Sequence, residues 1–550
     1  MKIRNILLFL ALIILSFACK TEPKVEPAEP VAIKEWKPED TRSITGVTAK
    51  RGLITKTEKA TPGYVMFQPS ASTKTVLINL DGEVVHEWQH DLNSMQAYLL
   101  DNGHLLSLQR DIDFPTFAAG GQAGRIREYD WDGNMLWDFE YATETELTHH
   151  DIEPLPNGNV LAISYEVIPF EEAVAAGRDP NYTAKAGIWP DKIIEIKPTK
   201  PEGGEIVWEW RMWDHIIQDN DSTKANYGVL ADNPGKININ LHGEAGPPIT
   251  AEQIEQMIKG GMTTSNATVD NWDSDIVHCN AVSYNADLDQ IAVSSPGLGE
   301  IFIIDHSIST EEAKGAAGDL LYRWGNSSNY GLEKEGELRL HGQHDVKWIP
   351  EGYPGAGQLM VFNNDIPDPN SKLPNVWAAI MQAKSPDPQV AVGDVGNYSA
   401  VYQIKTPLKS DGTYELKEGE PYGPTETEWT YMAPDKYSFY SAFVSGAQRL
   451  PNGNTLICSG AKGRFFEVTT EGEIVWEYWN PYMDGYKLPD GTASQPTGPF
   501  LFGQFRATHY GTDHKAFSGK ELKPIDPQPT PFVFEMPPPP PPPPSEENNQ

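Results

Sequence analysis

The sequence predicts an all-β protein, a six-bladed β-propeller with four-stranded blades and one partly helical insertion. Two recurring phrases carry this prediction. One is a tight turn followed by an apolar strand, as in "PLPNGNVLAIS" from Pro154 and "RLPNGNTLICS" from Arg449, and an Asn-Gly pair is a strong hairpin signal. The other is a strand that ends in tryptophan. Six such strands carry Trp88, Trp137, Trp208 with Trp210, Trp324, Trp429 and Trp476.

Six opening strands alternate with the tryptophan strands. They begin near Gly63, Met95, His150, His278, His344 and Ser445. Six four-stranded units lie within the range of roughly four to eight blades that propellers use, and a closed ring leaves no long exposed edge. A pair of β-sandwiches is the alternative, but sandwich strands do not normally recur as a complete four-strand phrase.

One insertion interrupts the repeats, from about Trp213 to Asp275. It contains "TAEQIEQMIKGG", in which Thr250 and Gln253 fit a capping box, apolar residues share one helical face and a glycine pair ends the helix. We therefore expect a short helix that covers one end of the ring.

The chain ends differ from the repeats. Residues 1–18 have a basic start and an apolar run that leads to Ala18 and Cys19, a pattern typical of a bacterial lipoprotein signal in which Cys19 is acylated. An ordinary cleaved signal peptide is the alternative. Residues 19–44 form a tether rich in Pro, Glu and Lys, 45–535 the propeller and 536–550 a polyproline tail. We expect a lipid-anchored periplasmic or outer-membrane protein of the cell envelope.

Charge and cysteine content narrow the classes of partner. The chain has 43 basic and 77 acidic residues, a formal net charge of -34, so nucleic acid is not an expected partner. If Cys19 is lipidated, Cys279 and Cys458 remain, and the sequence leaves their pairing open. No cysteine spacing resembles a zinc site, and "QDNDS" at Gln218 lacks the ligand spacing of a calcium loop.

Three histidines share one position in the repeat. His150 and His344 each stand eight residues before the turn glycine, Gly158 or Gly352, and His278 follows the same strand rhythm. The first strand of each blade lines the central channel, so the three imidazoles should converge at one end of that channel. A convergent set of titratable groups predicts a functional site.

Two chemistries fit three imidazoles. They suit zinc or copper, although no carboxylate stands at the same position in the other blades. They also suit covalent catalysis, in which one imidazole is the nucleophile and the others stabilise an anionic group in transfer. Asp151 and Asp345 should point away from this site because strand neighbours alternate faces, and His306 and His341 are expected to be structural.

An ordered set of segments carries a family resemblance. "THHDIEPLPNGNVL", "DIVHCNAVSYNADLDQIAVSS", "GQHDVKWIPEG" and "SAFVSGAQRLPNGNTLI" resemble the bacterial arylsulfate sulfotransferases, and the likeness spans about Gly63 to Phe517. That family is a six-bladed propeller that moves a sulfuryl group from an aryl sulfate to a phenol, without a nucleotide sulfate donor or other cofactor. The resemblance implies ping-pong transfer with His344 as the sulfated nucleophile. It also implies that His278 with Asn280, and His150, hold the sulfate oxygens and assist proton transfer.

One position departs from the family pattern. Better-known members carry an arginine in a phrase like "SSR", where this chain has "SSPG" with Pro296. Arg464 is the first candidate for a replacement cation that binds substrate, with Lys462 and Arg506 as the others. Three functions therefore stay open: sulfuryl transfer, a non-catalytic propeller lipoprotein that binds or scaffolds in the envelope, and a metal-dependent hydrolase or lyase. For the first we expect an aryl sulfate and a phenol as substrates and no metal.

Overall fold

The computed structural model describes most of the chain between Thr45 and Phe532. The described residues are 45–46, 49–70, 72–111, 116–241, 249–259, 263–332, 338–372, 396–483, 486–487, 493–494 and 501–532. The signal segment, Cys19, the tether and the polyproline tail lie outside them. Within the described residues, no helix has the length and hydropathy needed to cross a membrane.

Six antiparallel sheets form the ring, which confirms the predicted propeller. From the channel outward, the strands of blade 1 are Ala507–Gly511, Gly63–Phe67, Lys74–Asn79 and Val84–Gln89. Those of blade 2 are Asn93–Leu99, Leu105–Arg110, Gly124–Tyr129 and Met135–Glu140. Those of blade 3 are Glu146–Pro154, Val160–Glu166, Asp191–Pro198 and Gly204–Arg211. Those of blade 4 are Ala281–Asn285, Gln290–Ser295, Glu300–Asp305 and Tyr322–Trp324. Those of blade 5 are His344–Trp348, Leu359–Pro367, Asn397–Ile404 and Trp429–Tyr431. Those of blade 6 are Gly446–Arg449, Thr455–Ser459, Arg464–Val468 and Ile474–Trp479.

Blade 1 is built from both ends of the chain. The strand at Gly63 was expected to open this blade, but that expectation is wrong, because Gly63–Phe67 is the second strand and Ala507–Gly511 is the inner one. A Cβ on Gly63 would lie 2.4 Å from the His509 ring and the Tyr510 carbonyl oxygen, so only glycine allows the two strands to approach. Gly52–Lys56 also pairs with the outer strand of blade 6. These pairings close the ring with hydrogen bonds between distant parts of the chain.

The repeated tryptophans join neighbouring blades. Each lies on an outer strand, and its indole N–H donates to a backbone carbonyl of the next blade around the ring. The nitrogen-to-oxygen distances are 3.1 Å for Trp88 to Asp130, 2.7 Å for Trp137 to Gly203, 2.8 Å for Trp208 to Ile308, and 2.9 Å for Trp324 to Pro424, Trp429 to Thr470 and Trp476 to Leu80. A buried indole N–H needs a hydrogen-bond acceptor. Each blade meets this requirement with a carbonyl of the next blade, so the tryptophan recurs once in each repeat.

Short elements lie between the blades. The predicted insertion helix is present as Ala251–Lys259, and its capping box is formed by Thr250 N–H to Gln253 Oε1 at 2.8 Å and Gln253 N–H to Thr250 Oγ1 at 3.2 Å. The other helices and 3-10 turns are Phe170–Ala175, Pro180–Tyr182, Met212–His215, Leu230–Asp232, Thr310–Ala313, Ala316–Gly318, Ser327–Tyr330, Lys436–Ser438, Gly460–Lys462 and Lys515–Phe517. Two-residue strand pairs join Ile216–Ile217 to Ile237–Asn238 and Tyr486–Lys487 to Ala493–Ser494. Cys279 and Cys458 are buried free thiols.

Candidate active site

The structure brings together the three histidines that the sequence placed in register. The ring centroids of His150 and His278 are 4.5 Å apart, and the Phe505 ring lies 6.0 Å from His150 and 6.4 Å from His344. His150 and His344 are 3 % and 7 % exposed, whereas the His278 side chain is 30 % exposed. This histidine cluster is therefore a closely packed site in which His278 is the most accessible member.

Left-handed backbone turns two of these imidazoles into the cluster. His150 has φ of 57° and His278 has φ of 55°, a conformation that is uncommon for residues with a side chain and is concentrated at functional sites. In blade 3 the pairing register shifts between Ala162 and Ile163, so His150 and Asp151 form a bulge opposite them. Bulges re-aim side chains, and this one explains why His150 leaves the simple alternation of the strand.

His344 is held in one tautomer. Its Nδ1 lies 2.9 Å from Gly342 O and 2.9 Å from Asn364 Oδ1, and both oxygens accept, so Nδ1 carries the proton. The Asn364 amide nitrogen donates to Ser441 O at 3.0 Å and Val444 O at 2.9 Å, which turns its oxygen toward His344. Nε2 therefore carries the lone pair, and it accepts from the Val444 backbone N–H at 3.2 Å.

Burial keeps His344 neutral. Removal from water lowers the pKa of His344 to about 3, although the Asn364 hydrogen bond acts in the opposite direction. An imidazole with this pKa is unprotonated at neutral pH and is a nucleophile at Nε2.

His150 is neutral for related reasons. Burial and the neighbouring His278 hold the pKa of His150 well below its ordinary value. Its Nδ1 lies 2.7 Å from Nδ1 of His149, whose Nε2 lies 2.7 Å from Asp191 Oδ1. His149 is fully buried and stacks 3.6 Å from the Tyr165 ring. His149 thus holds the His150 ring in position through the contact between their Nδ1 atoms.

His278 differs from the other two because it has a carboxylate partner. Its Nδ1 lies 2.5 Å from Asp275 Oδ2. Burial alone lowers the pKa of His278, but the charge and hydrogen bond of Asp275 outweigh it, and the pKa is raised. The cluster therefore contains two neutral imidazoles and one that holds a proton more firmly.

The side chains of Asn280 and Arg464 have partners other than the imidazoles. Asn280 is fully buried, and its Nδ2 donates to Gln343 O at 2.8 Å, which ties blade 4 to the residue before His344. Arg464 Nε donates to Glu477 Oε1 at 2.8 Å, and its guanidinium lies 4.3 Å from the Phe466 ring centroid. No described contact joins either side chain to the histidine cluster, so their role in substrate binding stays a prediction.

Arg506 is the candidate cation that the structure brings to the cluster. It donates from Nη1 to Asp151 Oδ2 at 2.7 Å, and its Nε lies 2.9 Å from Asp345 Oδ1. Its guanidinium lies 4.6 Å from the Phe505 ring, and its charge helps to lower the pKa of both His150 and His344. Asp151 and Asp345 thus turn toward Arg506, where they are ion-paired.

Lys347 extends this ion network down the channel. Its Nζ lies 3.0 Å from Tyr98 OH and 3.1 Å from Glu153 Oε2. Tyr98 also donates to Asp151 Oδ1 at 2.7 Å. These paired side chains come from the inner strands of three blades.

Sequence reasoning missed a glycine loop, residues 116–123, that packs on the cluster. A Cβ on Gly121 would lie 2.2 Å from the His150 ring, and one on Gly120 would lie 3.6 Å from His278 Cε1. Gly121 O also accepts from the His150 backbone N–H at 2.7 Å. The available signal was the small-residue run "AAGGQAG" after the second strand of blade 2. Its contact with the histidines depends on the fold.

The insertion packs on this glycine loop. Asn266 Nδ2 donates to Phe117 O at 2.5 Å, and Thr263 Oγ1 donates to Ala118 O at 3.3 Å. Ile254 of the insertion helix packs in the same apolar group as Phe117. The insertion therefore covers the histidine end of the ring.

The remaining sequence candidates lie elsewhere. His306 lies 2.6 Å from Asp289 Oδ1 and 3.0 Å from Glu195 Oε2, which joins blades 3 and 4 as a structural residue. The His341 backbone N–H donates to Asn363 Oδ1 at 2.7 Å, outside the cluster. Over the described ranges, no group of three or more His, Cys, Asp or Glu side chains has the arrangement of a metal site.

Comparison with known proteins gives a family and a set of distant structural likenesses. The model of the arylsulfotransferase (ASST) family matches residues 50–481, and comparison with curated proteins finds no match. A protein of unknown function from Bacteroides caccae is 13% identical, with 76% of this chain and 93% of that chain covered and a TM-score of 0.36. Virginiamycin B lyase from Staphylococcus aureus is 9% identical (78% and 88% covered, TM-score 0.32), and hydrazine synthase from Kuenenia stuttgartiensis is 10% identical (76% and 78% covered, TM-score 0.32). Because the family model spans most of the sequence and contains the whole histidine cluster, the chain belongs to the arylsulfotransferase family.

Proposed function

We propose that this protein transfers a sulfuryl group from an aryl sulfate to a phenol through a sulfated His344. The observation that carries the proposal is the fixed tautomer of His344. Its Nδ1–H is held by two acceptor oxygens at 2.9 Å, and its Nε2 carries the lone pair, which accepts from the Val444 N–H at 3.2 Å.

In the first half-reaction, the Nε2 lone pair of His344 gives up its hydrogen bond from the Val444 N–H and forms a bond to the sulfur of the aryl sulfate. The bond between sulfur and the phenolic oxygen breaks, and its electron pair leaves with that oxygen. His278, which has the raised pKa, gives its proton to the leaving phenolate. The products are a free phenol and an enzyme with SO3 bonded to His344.

The second half-reaction reverses these roles. The oxygen of an acceptor phenol forms a bond to sulfur, and the bond between sulfur and His344 Nε2 breaks. The acceptor proton passes to His278, so the enzyme returns to its starting state. Neutral imidazole suits both steps because it is a nucleophile when free and a good leaving group when sulfated.

The charge around the site fits an anionic substrate. The chain carries a formal net charge of -34, which repels sulfate esters at a distance. The histidine cluster offsets this locally, since the pKa of His278 is raised and the positive charge of Arg506 acts on both His150 and His344. Positive groups that are fixed in advance stabilise charge on the transferring group.

The test is turnover of 4-nitrophenyl sulfate with and without a phenol, each with and without a chelator. The proposal is supported if turnover requires both substrates, is unchanged by the chelator and is lost in His344→Asn. Loss of turnover with the chelator favours a metal-dependent hydrolase or lyase, and absence of turnover over a panel of aryl sulfates favours a non-catalytic propeller.

We also propose that the protein works in the cell envelope, held by a lipid on Cys19. The support is the signal pattern at residues 1–19 and the tether that follows. A flexible tether would let the propeller stand away from the membrane surface.

A further inference from the structure

We infer that Asp275 is a positioning residue that makes His278 the proton donor to the leaving phenol. The inference rests on the proposed sulfuryl transfer and adds a residue from the insertion, not from a blade, to its machinery. The insertion then contributes chemistry to the site as well as a cover.

The contacts of Asp275 fix the orientation of His278. The Asp275 side chain is 10 % exposed, and its Oδ2 accepts from His278 Nδ1 at 2.5 Å and from the Tyr165 hydroxyl at 2.8 Å. Since the carboxylate accepts, the Nδ1 of His278 carries a proton and the imidazole is held by that edge. Nε2 is the nitrogen left for the substrate.

Tyr165 keeps the carboxylate in place. Its ring lies between His149, at 3.6 Å, and Phe117, at 5.6 Å, and it is fully buried. Asp275 Oδ1 is buried and has no hydrogen-bond partner among the described residues. The described hydrogen bonds of this carboxylate thus go to Tyr165 and His278, and the Tyr165 hydroxyl fixes the oxygen that His278 contacts.

The surrounding charges favour the doubly protonated, positively charged imidazole at His278 and disfavour it at His150 and His344. The titratable and charged groups around the pair are His149, His150, Tyr165 and Asp191 from blade 3, Cys279 beside His278, His344 from blade 5, and Arg506. Protonated His278 lowers the pKa of His150 and His344, and Arg506 does the same. Asp275 and Asp191 raise the pKa of His278.

A proton donor matters most when the departing phenolate is strongly basic. A phenyl sulfate needs the proton as its bond to sulfur breaks, whereas a 4-nitrophenyl sulfate releases a stable anion without it. A residue that only supports the fold changes both rates together. Dependence on the leaving group therefore separates positioning from structural support.

The experiment measures kcat/KM of Asp275→Asn for a series of aryl sulfates with a fixed phenol acceptor. We expect a loss of about a hundredfold with phenyl sulfate and of less than about fivefold with 4-nitrophenyl sulfate, from the usual contribution of a general acid. The decline in rate as pH rises through the His278 pKa should begin at lower pH in the variant, because the carboxylate no longer raises that pKa.

Two further variants control the result. Asp273→Asn removes a neighbouring, exposed carboxylate, and it should leave the leaving-group dependence unchanged. Tyr165→Phe keeps the ring and removes one hydrogen bond to Asp275, so it should steepen the dependence by a smaller amount. If Asp275→Asn does not fold, Tyr165→Phe decides the matter.

Equal losses for all aryl sulfates in Asp275→Asn, or an unchanged dependence in a folded Tyr165→Phe, would overturn this inference. The proposed function would stand in that case, provided that the parent enzyme still forms a sulfated His344. A parent enzyme that forms no sulfated histidine overturns both.

Discussion

Replacing Gly121 by alanine tests whether the glycine loop sets the position of His150. Gly121 has φ of +74°, and an added Cβ would lie 2.2 Å from two atoms of the His150 ring and 2.3 Å from a third. The ring must move by about 1 Å to restore ordinary contact, and displacement of a catalytic group on that scale costs about a hundredfold in rate. We therefore expect Gly121→Ala to lower kcat/KM for sulfuryl transfer by about a hundredfold.

The backbone contributes a separate loss of stability. Alanine in a left-handed conformation costs roughly 1–2 kcal/mol, which lowers the midpoint of thermal unfolding without unfolding the protein at assay temperature. Gly133 is a matched control in the same blade, since its φ is +84° and an added Cβ meets nothing within 4 Å. Gly133→Ala should lose this backbone part of the stability and keep its activity.

The assay pairs thermal unfolding with steady-state transfer from 4-nitrophenyl sulfate to a phenol. Our reasoning predicts that only Gly121→Ala loses the rate, and that it also loses more stability than Gly133→Ala, because the buried His150 ring must move as well. Near-parent activity in Gly121→Ala would show that His150 needs no fixed position. Equal activity losses in both variants would trace the effect to strain alone.

Three other predictions concern the nucleophile, the buried histidines and the anchor. His344→Asn should abolish the sulfated enzyme formed from a donor without acceptor, whereas His341→Asn should keep it; mass spectrometry of the peptides would contradict this if it found the sulfate on another residue. Burial lowers the pKa of His509 and His90 to about 4, below the ordinary value of 6.5, so the unfolded state binds more protons between these values and stability falls on acidification through that window. Calorimetry at pH 5 should show proton uptake on unfolding, reduced by about one proton in His509→Gln, and an unchanged uptake would argue against a neutral His509. The mature chain should begin at an acylated Cys19. An intact mass that shows cleavage elsewhere and an unmodified Cys19 thiol would refute this prediction.

Features that repeat locally could be predicted from the sequence. The tryptophan strands and Asn-Gly turns indicated the blades because a four-stranded sheet needs the same turn chemistry and the same inter-blade contact each time. The register of His150, His278 and His344 indicated the cluster because equivalent positions of equivalent strands meet at one end of a ring. The capping box of Thr250 and Gln253 predicted the insertion helix in the same local way.

Among the groups that act on the histidines, sequence reasoning missed Gly121 and Asn364 and named Arg506 only as an alternative to Arg464. Gly121, Asn364 and Arg506 each lie on a different segment from the imidazole that they contact or perturb. The sequence alone favours Arg464 over Arg506 as the replacement cation. Only the structure shows that Arg464 forms an ion pair with Glu477.

Periodicity and motif spacing determined the propeller, its six blades and the three imidazoles, since these follow from residues close together in the chain. Tertiary structure alone decided the closure of blade 1 by Ala507–Gly511 and the different protonation of His344 and His278. The physical reason is that strand pairing across the ring and the pKa of a buried group depend on which distant atoms surround them. Local sequence carries no record of those neighbours.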